Sequence, residues 1–469
     1  LHRLDGESQF TQHGARRWST LGVLRAESEI INWSATETPH RLDPVLVAST
    51  MERLELATGR TLGPDQAAAV HALTTGRHQL VTVIGPAGAG KTTMLRGVVD
   101  AYRAAGQKVI GVALSQNATN VLHDETGAVS VNIATWNLTR QQPGLALQPG
   151  DLLVVDEAAM VPTQSLADVC RHAWQAGARV AFVGDPMQLT SPQAGGIVTD
   201  LIGSESSVQL ADVRRFRNAW EGPASLQLRD GQTRVVAVYD AHDRIIGVTD
   251  ESAGARIVAD WFADRQAGLE PVIVADTNAD AGELAALAQA VLRDAGVVDV
   301  GVVELMDRNL AGIGDIIQAR RNDADLIASD GRHVANRDTW RVLSAGPDGV
   351  IGERLNGGAA TVVFPLRYLA NHAQLAYAGT IHAVQGRTVD TCRALVTPAT
   401  RSSALYVAMT RGRHANVAYC QTDGHDHDEF GSGRIEPAAA FEAAMRRDDR
   451  EHSARSTLRE ALQTEASIA

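Results

Sequence analysis

VIGPAGAGKTTML, residues 83–95, is the stretch on which the fold turns. The run before it, HQLVTVI, is short, apolar and β-branched, and predicts a buried strand. The run after it, MLRGVVDAYRAAG, repeats apolar residues at helical spacing and stops on Gly106. Between strand and helix, Gly85, Gly90, Lys91 and Thr92 satisfy G-x-x-x-x-G-K-[ST]. A glycine-rich turn that merely precedes a lysine is the plain alternative, and the strand–loop–helix context argues against it.

Glycines in such a loop let backbone N–H groups wrap a phosphate chain at a helix start. Gly85, Pro86, Ala87, Gly88, Ala89, Gly90, Lys91, Thr92 and Thr93 are therefore the expected nucleotide-binding set. Lys91 reaches the terminal phosphates, and Thr92 is a candidate Mg²⁺ ligand. The motif predicts a nucleoside triphosphate, but not what its energy does.

At 469 residues the chain has room for two to four domains. A hydrophobic content of 44% with 21% charged residues is that of a globular protein. No apolar run reaches membrane-spanning length, and no secretory signal pattern opens the chain. Cys170, Cys392 and Cys420 have neither metal nor disulfide spacing, so a cytoplasmic location is expected. The chain opens on Leu1 rather than Met, as a piece of a longer protein would. A net charge of −12 means that any nucleic-acid partner must meet a local basic groove on an acidic body.

Residues 1–60 read as a helical segment with Trp18 and Trp33 as packing anchors. VTVIG, KVIGVAL, LLVVDE and RVAFVGD alternate with helical stretches, the pattern of a parallel α/β sheet, and define a first domain over 61–218. A second α/β pattern with PVIVAD, RALVTP and NVAYC covers 219–313 and 367–425. The short alternating strands of 314–366 predict a small β-barrel inserted in it. Residues 426–469 read as a charged, helical, peripheral tail, and His425 and His427 before it as a solvated loop rather than a metal site.

Further constellations carry chemistry. LLVVDEAAM puts Asp156 and Glu157 at a strand end, one to hold Mg²⁺ and the other to handle water. That pairing points to hydrolysis rather than transfer to a small substrate. VGDPMQL places Asp185 and Gln188 where a strand end would face the terminal phosphate. VRRFRNAW (Arg214, Arg215, Arg217) and YVAMTRGRHAN (Arg411, Arg413) supply guanidiniums able to stabilise charge on a transferring phosphoryl group. Thr380, His382, Gln385 and Gly386 cluster on one turn, suited to phosphate of a nucleotide or of a nucleic-acid backbone.

GPAGAGKT, VVDEAAM, GDPMQL, RRF, TIHAVQGRTVD and YVAMTRGR occur in this order over roughly residues 60–425. The set closely resembles the RecD-like branch of superfamily 1 helicases, superfamily 1B, and within it the helicase part of MobF-type conjugative relaxases (the TraI, TrwC and TraA group). The resemblance implies an α/β fold of two RecA-like P-loop domains with an SH3-like β-barrel inserted in the second. It implies ATP and Mg²⁺ as cofactors, 5′ to 3′ movement on single-stranded DNA, and conjugation machinery or a covalently joined relaxase domain as partners. It implies adenine reading by Gln66, Arg215 and Arg411 facing the γ-phosphate, and Thr380, His382 and Gln385 coupling nucleotide state to DNA grip. ALSQNATN stands where the family has a different DNA-contact stretch, leaving Ser115, Asn117 and Thr119 as the polar candidates there. The segment between Asn120 and Asp151 is too short for a long strand-separating hairpin. A relaxase histidine triad and tyrosine nucleophile are missing, so no DNA nicking is expected of this chain. A RecD-type recombination or repair helicase, and a helicase-fold binding module without hydrolysis, are the alternative readings.

Overall fold

The computed structural model describes residues 18–191, 193–346, 349–355, 358–423, 435–448 and 452–468. Strand Leu80–Ile84 is buried along its whole length, as its apolar, β-branched sequence requires of a strand covered on both faces. It pairs in parallel with Arg179–Gly184 on one side and Ser207–Gln209 on the other. Leu152–Val155, Val109–Ala113 and Val129–Asn132 extend the sheet, all parallel. Residues Gly85, Asp185 and Asp156 therefore leave the C-terminal ends of three adjacent strands. Open parallel sheets bind ligands at that edge.

One core covers each face of this sheet. Ile110, Trp136, Leu153 and Phe182 build one, and Leu73, Val83, Met94, Val98 and Tyr102 the other. The helix Leu21–Ala35 joins the first through Ala26 and Ile30. Burying an isoleucine side chain such as Ile30 is worth about 1.5–3 kcal/mol, enough to hold that segment to the sheet. Trp33 stands beside Trp174 with ring centroids 6.5 Å apart, as expected of an anchor. Trp18 does not anchor anything: it is 87% exposed, because the first helix turns its apolar face to the sheet only from Val23 onward.

The helix Pro64–Thr74 is fastened at its C-terminus by Arg179, whose buried guanidinium donates to the carbonyls of Ala72 (2.9 Å), Leu73 (2.8 Å), Thr74 (3.0 Å), Gly76 (3.2 Å) and His78 (3.0 Å). A cation there satisfies the orphan carbonyls and opposes the helix dipole. The same helix carries Gln66 at its other end.

A second parallel sheet runs in the order Ala378–Thr380, Pro271–Ala275, Val389–Val396, Gly412–Gln421, Ile245–Val248. Between its strands lies a five-stranded antiparallel sheet ordered Thr361–Phe364, Gly349–Arg354, Thr339–Gly346, Ile316–Ala319, Ala373–Leu375. Trp340 is its central side chain, edge-on to Phe364 at 5.2 Å and covered by the Arg354 guanidinium at 4.7 Å. This inserted sheet shares one continuous core with the second parallel sheet, from Trp261 and Ile273 through to Val342 and Tyr368.

The C-terminal residues correct an expectation. The helix Pro437–Arg446 is not peripheral: Phe441 and Ala444 are completely buried against Tyr239 and Tyr406. The helix Ala454–Ile468 crosses back to the first domain, where the buried Glu27 accepts from the N–H groups of Ala454 (2.8 Å) and Arg455 (2.9 Å). His425 and His427 lie outside the described residues. No helix among the described residues is long and apolar enough to cross a membrane.

Candidate nucleotide and nucleic-acid site

A cleft of about 1210 Å³ opens at the C-terminal edge of the first sheet and is closed on its far side by the second. The phosphate-binding loop forms its floor. Gly88 (φ +82°) and Gly90 (φ +76°) take left-handed backbone angles that glycine adopts without strain. A Cβ on Gly90 would stand 2.4 Å from the Gln66 amide nitrogen. Lys91 begins the helix Lys91–Ala104 and folds over the loop, its ammonium donating to the carbonyls of Gly85 (2.7 Å) and Pro86 (3.3 Å). Thr92 and Thr93 follow on the first helical turn and also line the cleft.

Gln66 stands beside this loop with its amide already engaged. Its nitrogen donates to Ala89 (3.2 Å) and Gly90 (3.1 Å), and its oxygen accepts from the Gly63 N–H (3.1 Å) and from Arg214. Arg214 in turn reaches Asp212 (3.1 Å), so it braces the loop rather than facing it.

Asp156 and Glu157 leave the end of Leu152–Val155 as adjacent residues, the Glu157 N–H donating to the Asp156 carboxylate at 3.0 Å. Glu157 has φ +49°, a left-handed angle rare outside glycine and asparagine, and the cost is met by the turn that swings its carboxylate into the cleft. Burial, then the Glu157 charge, push the Asp156 carboxyl up to about 7, with Lys91 opposing. On the opposite wall Arg411 is 2% exposed. Its guanidinium donates to the carbonyl of Val407 (2.8 Å) and to the Thr410 hydroxyl (3.1 Å). Arg215, from the first domain, donates to the Thr410 carbonyl. Burial and then the neighbouring Arg411 push Arg215 down to about 9. Two crowded carboxylates and two crowded guanidiniums thus face one cleft. Each pair is relieved by the charge it lacks, a cation between Asp156 and the loop and an anion between the arginines. The residues fit an Mg²⁺-bound triphosphate on that ground.

The turn after Ala378–Thr380 brings His382, Gln385 and Gly386 to the same cleft, while Thr380 stands at the strand end outside its lining. The Gln385 amide donates to Glu157 at 3.5 Å across the domains, while its oxygen is buried with no hydrogen-bond partner among the described residues. Such an orphan acceptor marks a place where a ligand or water donates. His382 is exposed on the cleft wall, and Gly386 has φ +82°.

Some expected residues stand elsewhere. Asp185 does not face a phosphate: completely buried, it accepts from Arg229 (2.9 Å) and from the Tyr406 hydroxyl (3.1 Å). A buried aspartate with a guanidinium in reach pairs with it, and no local pattern marks Arg229 as that partner. Gln188 lines the cleft, its amide 3.5 Å from Asp185. Ser115 caps the helix Gln116–Thr126, accepting from Ala118 N–H at 3.1 Å. Thr119, expected on a DNA path, is buried, its hydroxyl donating to the Gln116 carbonyl at 2.7 Å. Threonines inside helices commonly bond their own backbone in this way. Asn117 lies on the same helix, and its side chain is outside the described set.

Sequence reasoning missed Tyr406, though it sits inside YVAMTRGR. Its hydroxyl accepts from the Ala87 N–H at 3.1 Å and so touches the phosphate loop from the second domain. A tyrosine in an otherwise apolar helical run was the available signal, because a buried hydroxyl needs a partner.

The paired parallel sheets, the glycine-rich loop and the arginines that meet across the cleft make up a P-loop α/β architecture of two RecA-like sheets. Residues 61–250 match the family described as "AAA domain". Over 406 residues, 85% of the chain, it is 31% identical to the conjugal transfer protein TraA of Agrobacterium fabrum, of which it covers 36%. It is 30% identical over 152 residues to the ATP-dependent RecD2 DNA helicase of Deinococcus radiodurans, covering 31% of this chain and 21% of that protein. The fold is similar to that of a Bacteroides Pif1 helicase solved bound to single-stranded DNA, with TM-score 0.50 and 16% identity over 87% of this chain and 98% of that one. The chain spans about a third of the length of the TraA relatives it matches.

Proposed function

We propose that this chain is an ATP-driven DNA motor, the 5′ to 3′ helicase portion of a conjugative relaxase acting on single-stranded DNA in the cytoplasm. The observation that carries the reading is the cleft itself: phosphate loop, stacked carboxylates and two arginines converge from both parallel sheets. The similarity to TraA over most of the chain supports the conjugative setting.

In this reading Gly85 to Thr93 hold the phosphates, and Lys91 leaves its loop carbonyls to meet them. Thr92 and Asp156 would hold Mg²⁺, which supplies charge neutralisation to the phosphates when bound. Glu157 orients the attacking water, and Gln188 and Gln385 sense the terminal phosphate. Arg215 and Arg411 stabilise the charge of the transferring phosphoryl group. Gln66 reads the base only after releasing the loop carbonyls it now holds. Thr380 and His382, with Ser115 and Asn117, belong to the DNA side. Domain limits at 61–218 and 219–425, with the antiparallel sheet inserted in the second, fit this division.

DNA lying across both domains favours the closed cleft in which both arginines reach the phosphate, so DNA and ATP affinity are reciprocally coupled. The test is a pair of variants. Lys91→Ala is expected to abolish ATP hydrolysis. Glu157→Gln is expected to bind ATP as the parent does, with turnover reduced about 10²-fold or more. Parental turnover in Glu157→Gln would place the water-activating group elsewhere.

A further inference from the structure

One hydroxyl joins the two domains at the phosphate loop. Tyr406 is 2% exposed. Its single proton goes to the Asp185 carboxylate at 3.1 Å, which leaves its lone pair to accept the Ala87 N–H at 3.1 Å. Asp185 is pinned in turn by Arg229, through Nε (3.1 Å) and Nη2 (2.9 Å). Each bond of this relay thus has a defined donor and acceptor.

The same tyrosine anchors the wall that carries Arg411. Its carbonyl accepts from the Thr410 hydroxyl at 2.8 Å, and that hydroxyl accepts from Arg411 Nη2 at 3.1 Å. The Arg411 Nε donates to Val407, the residue next to Tyr406, at 2.8 Å. Loop, tyrosine and arginine therefore form one connected path: Ala87 N–H, Tyr406 side chain, Tyr406 carbonyl, Thr410, Arg411.

We propose that Tyr406 is a positioning residue for hydrolysis, docking the helix Ser402–Ala408 onto the phosphate loop so that Arg411 enters the cleft at a fixed place. The inference rests on the hydrolase reading above. Ala87 belongs to the phosphate-binding loop, so the dock is made on the nucleotide-binding segment itself. Tyr406 needs no contact with the substrate. It acts through the arginine, and removing its hydroxyl weakens the transition state more than the bound nucleotide.

Tyr406→Phe tests this, since it removes one oxygen and keeps the ring in its apolar surroundings of Leu405, Phe441 and Ala224. Steady-state ATPase is measured with wild type in parallel, together with equilibrium binding of a fluorescent N-methylanthraniloyl-ATP. The expected result is a fall in kcat of about tenfold or more, with KM and analogue affinity within about twofold of wild type. Arg411→Ala is then added to both backgrounds. If the two residues act as a unit, it costs less in the Phe background than in wild type. Wild-type kcat in Tyr406→Phe, a loss confined to KM, or rate losses that multiply independently would each overturn the proposal. A wild-type protein without ATPase activity would overturn the hydrolase reading itself, and this inference with it.

Discussion

Asp156 concentrates the tension of the site in one carboxyl. Burial and the Glu157 charge hold it at about 7, well above the usual carboxylate range of about 4. A carboxyl raised on folding contributes stability that is complete below the unfolded pKa and is lost as pH rises through the folded one. Without Mg²⁺ the protein should therefore lose stability between about pH 4 and pH 7 on account of this group. Asp156→Asn is neutral throughout. In chelator, its stability advantage over the parent should widen by roughly 1–3 kcal/mol between pH 5 and pH 8, while its hydrolysis is lost. Thermal melts at the two pH values measure it, and an advantage independent of pH would contradict the electrostatic account. The identities of Lys91, Asp156, Glu157 and Arg411 were legible because their motifs are short and contiguous. Their neighbours' commitments were not: that Gln66 spends its amide on Ala89 and Gly90, or that Thr119 faces inward, depends on helix rotation and on partners distant in the chain.

Among elements, the inner strands of both parallel sheets were readable from their apolar, β-branched runs, whereas the short edge strands Val129–Asn132, Ser207–Gln209, Ile245–Val248 and Ala378–Thr380 were not. The C-terminal residues were readable as helical, but not their packing against the body of the protein. Their charged exposed faces dominate the composition, while Phe441 alone carries much of the apolar anchor. The role of Glu27 was equally hidden, since a glutamate in an amphipathic helix reads as solvated. It caps the helix Ala454–Ile468 through two N–H groups, and Ser453 adds a bond to Asp200 at 2.5 Å. Glu27→Ala should cost about 1–2 kcal/mol, because two partly buried N–H groups at a helix start lose their acceptor. It should also expose Arg455 and Arg459 to trypsin under conditions in which the parent resists. Unchanged digestion at those arginines would show that the helix is held by other contacts.

The whole molecule sets two parallel sheets on either side of one cleft. The acidic balance of −12 sets the condition for nucleic acid: binding rests on local cations and should weaken steeply as salt rises. From sequence, two α/β units and an inserted β region were visible because their periodicities differ. The cross-domain bonds that set the cleft, Arg215 to Thr410 and Tyr406 to Ala87, join residues 195 and 319 positions apart. No local pattern encodes them. Direction of movement belongs to this scale too, and strand displacement on duplexes with a 5′ or a 3′ single-stranded tail reads it directly.

The coupling of ATP to a DNA track is the central claim, and steady-state ATPase activity at low salt with and without single-stranded DNA tests it most directly. The account predicts stimulation of about tenfold or more, in the range of ordinary coupling free energies, falling away as salt is raised. A rate that is the same with and without DNA, in a protein that hydrolyses ATP, would contradict it.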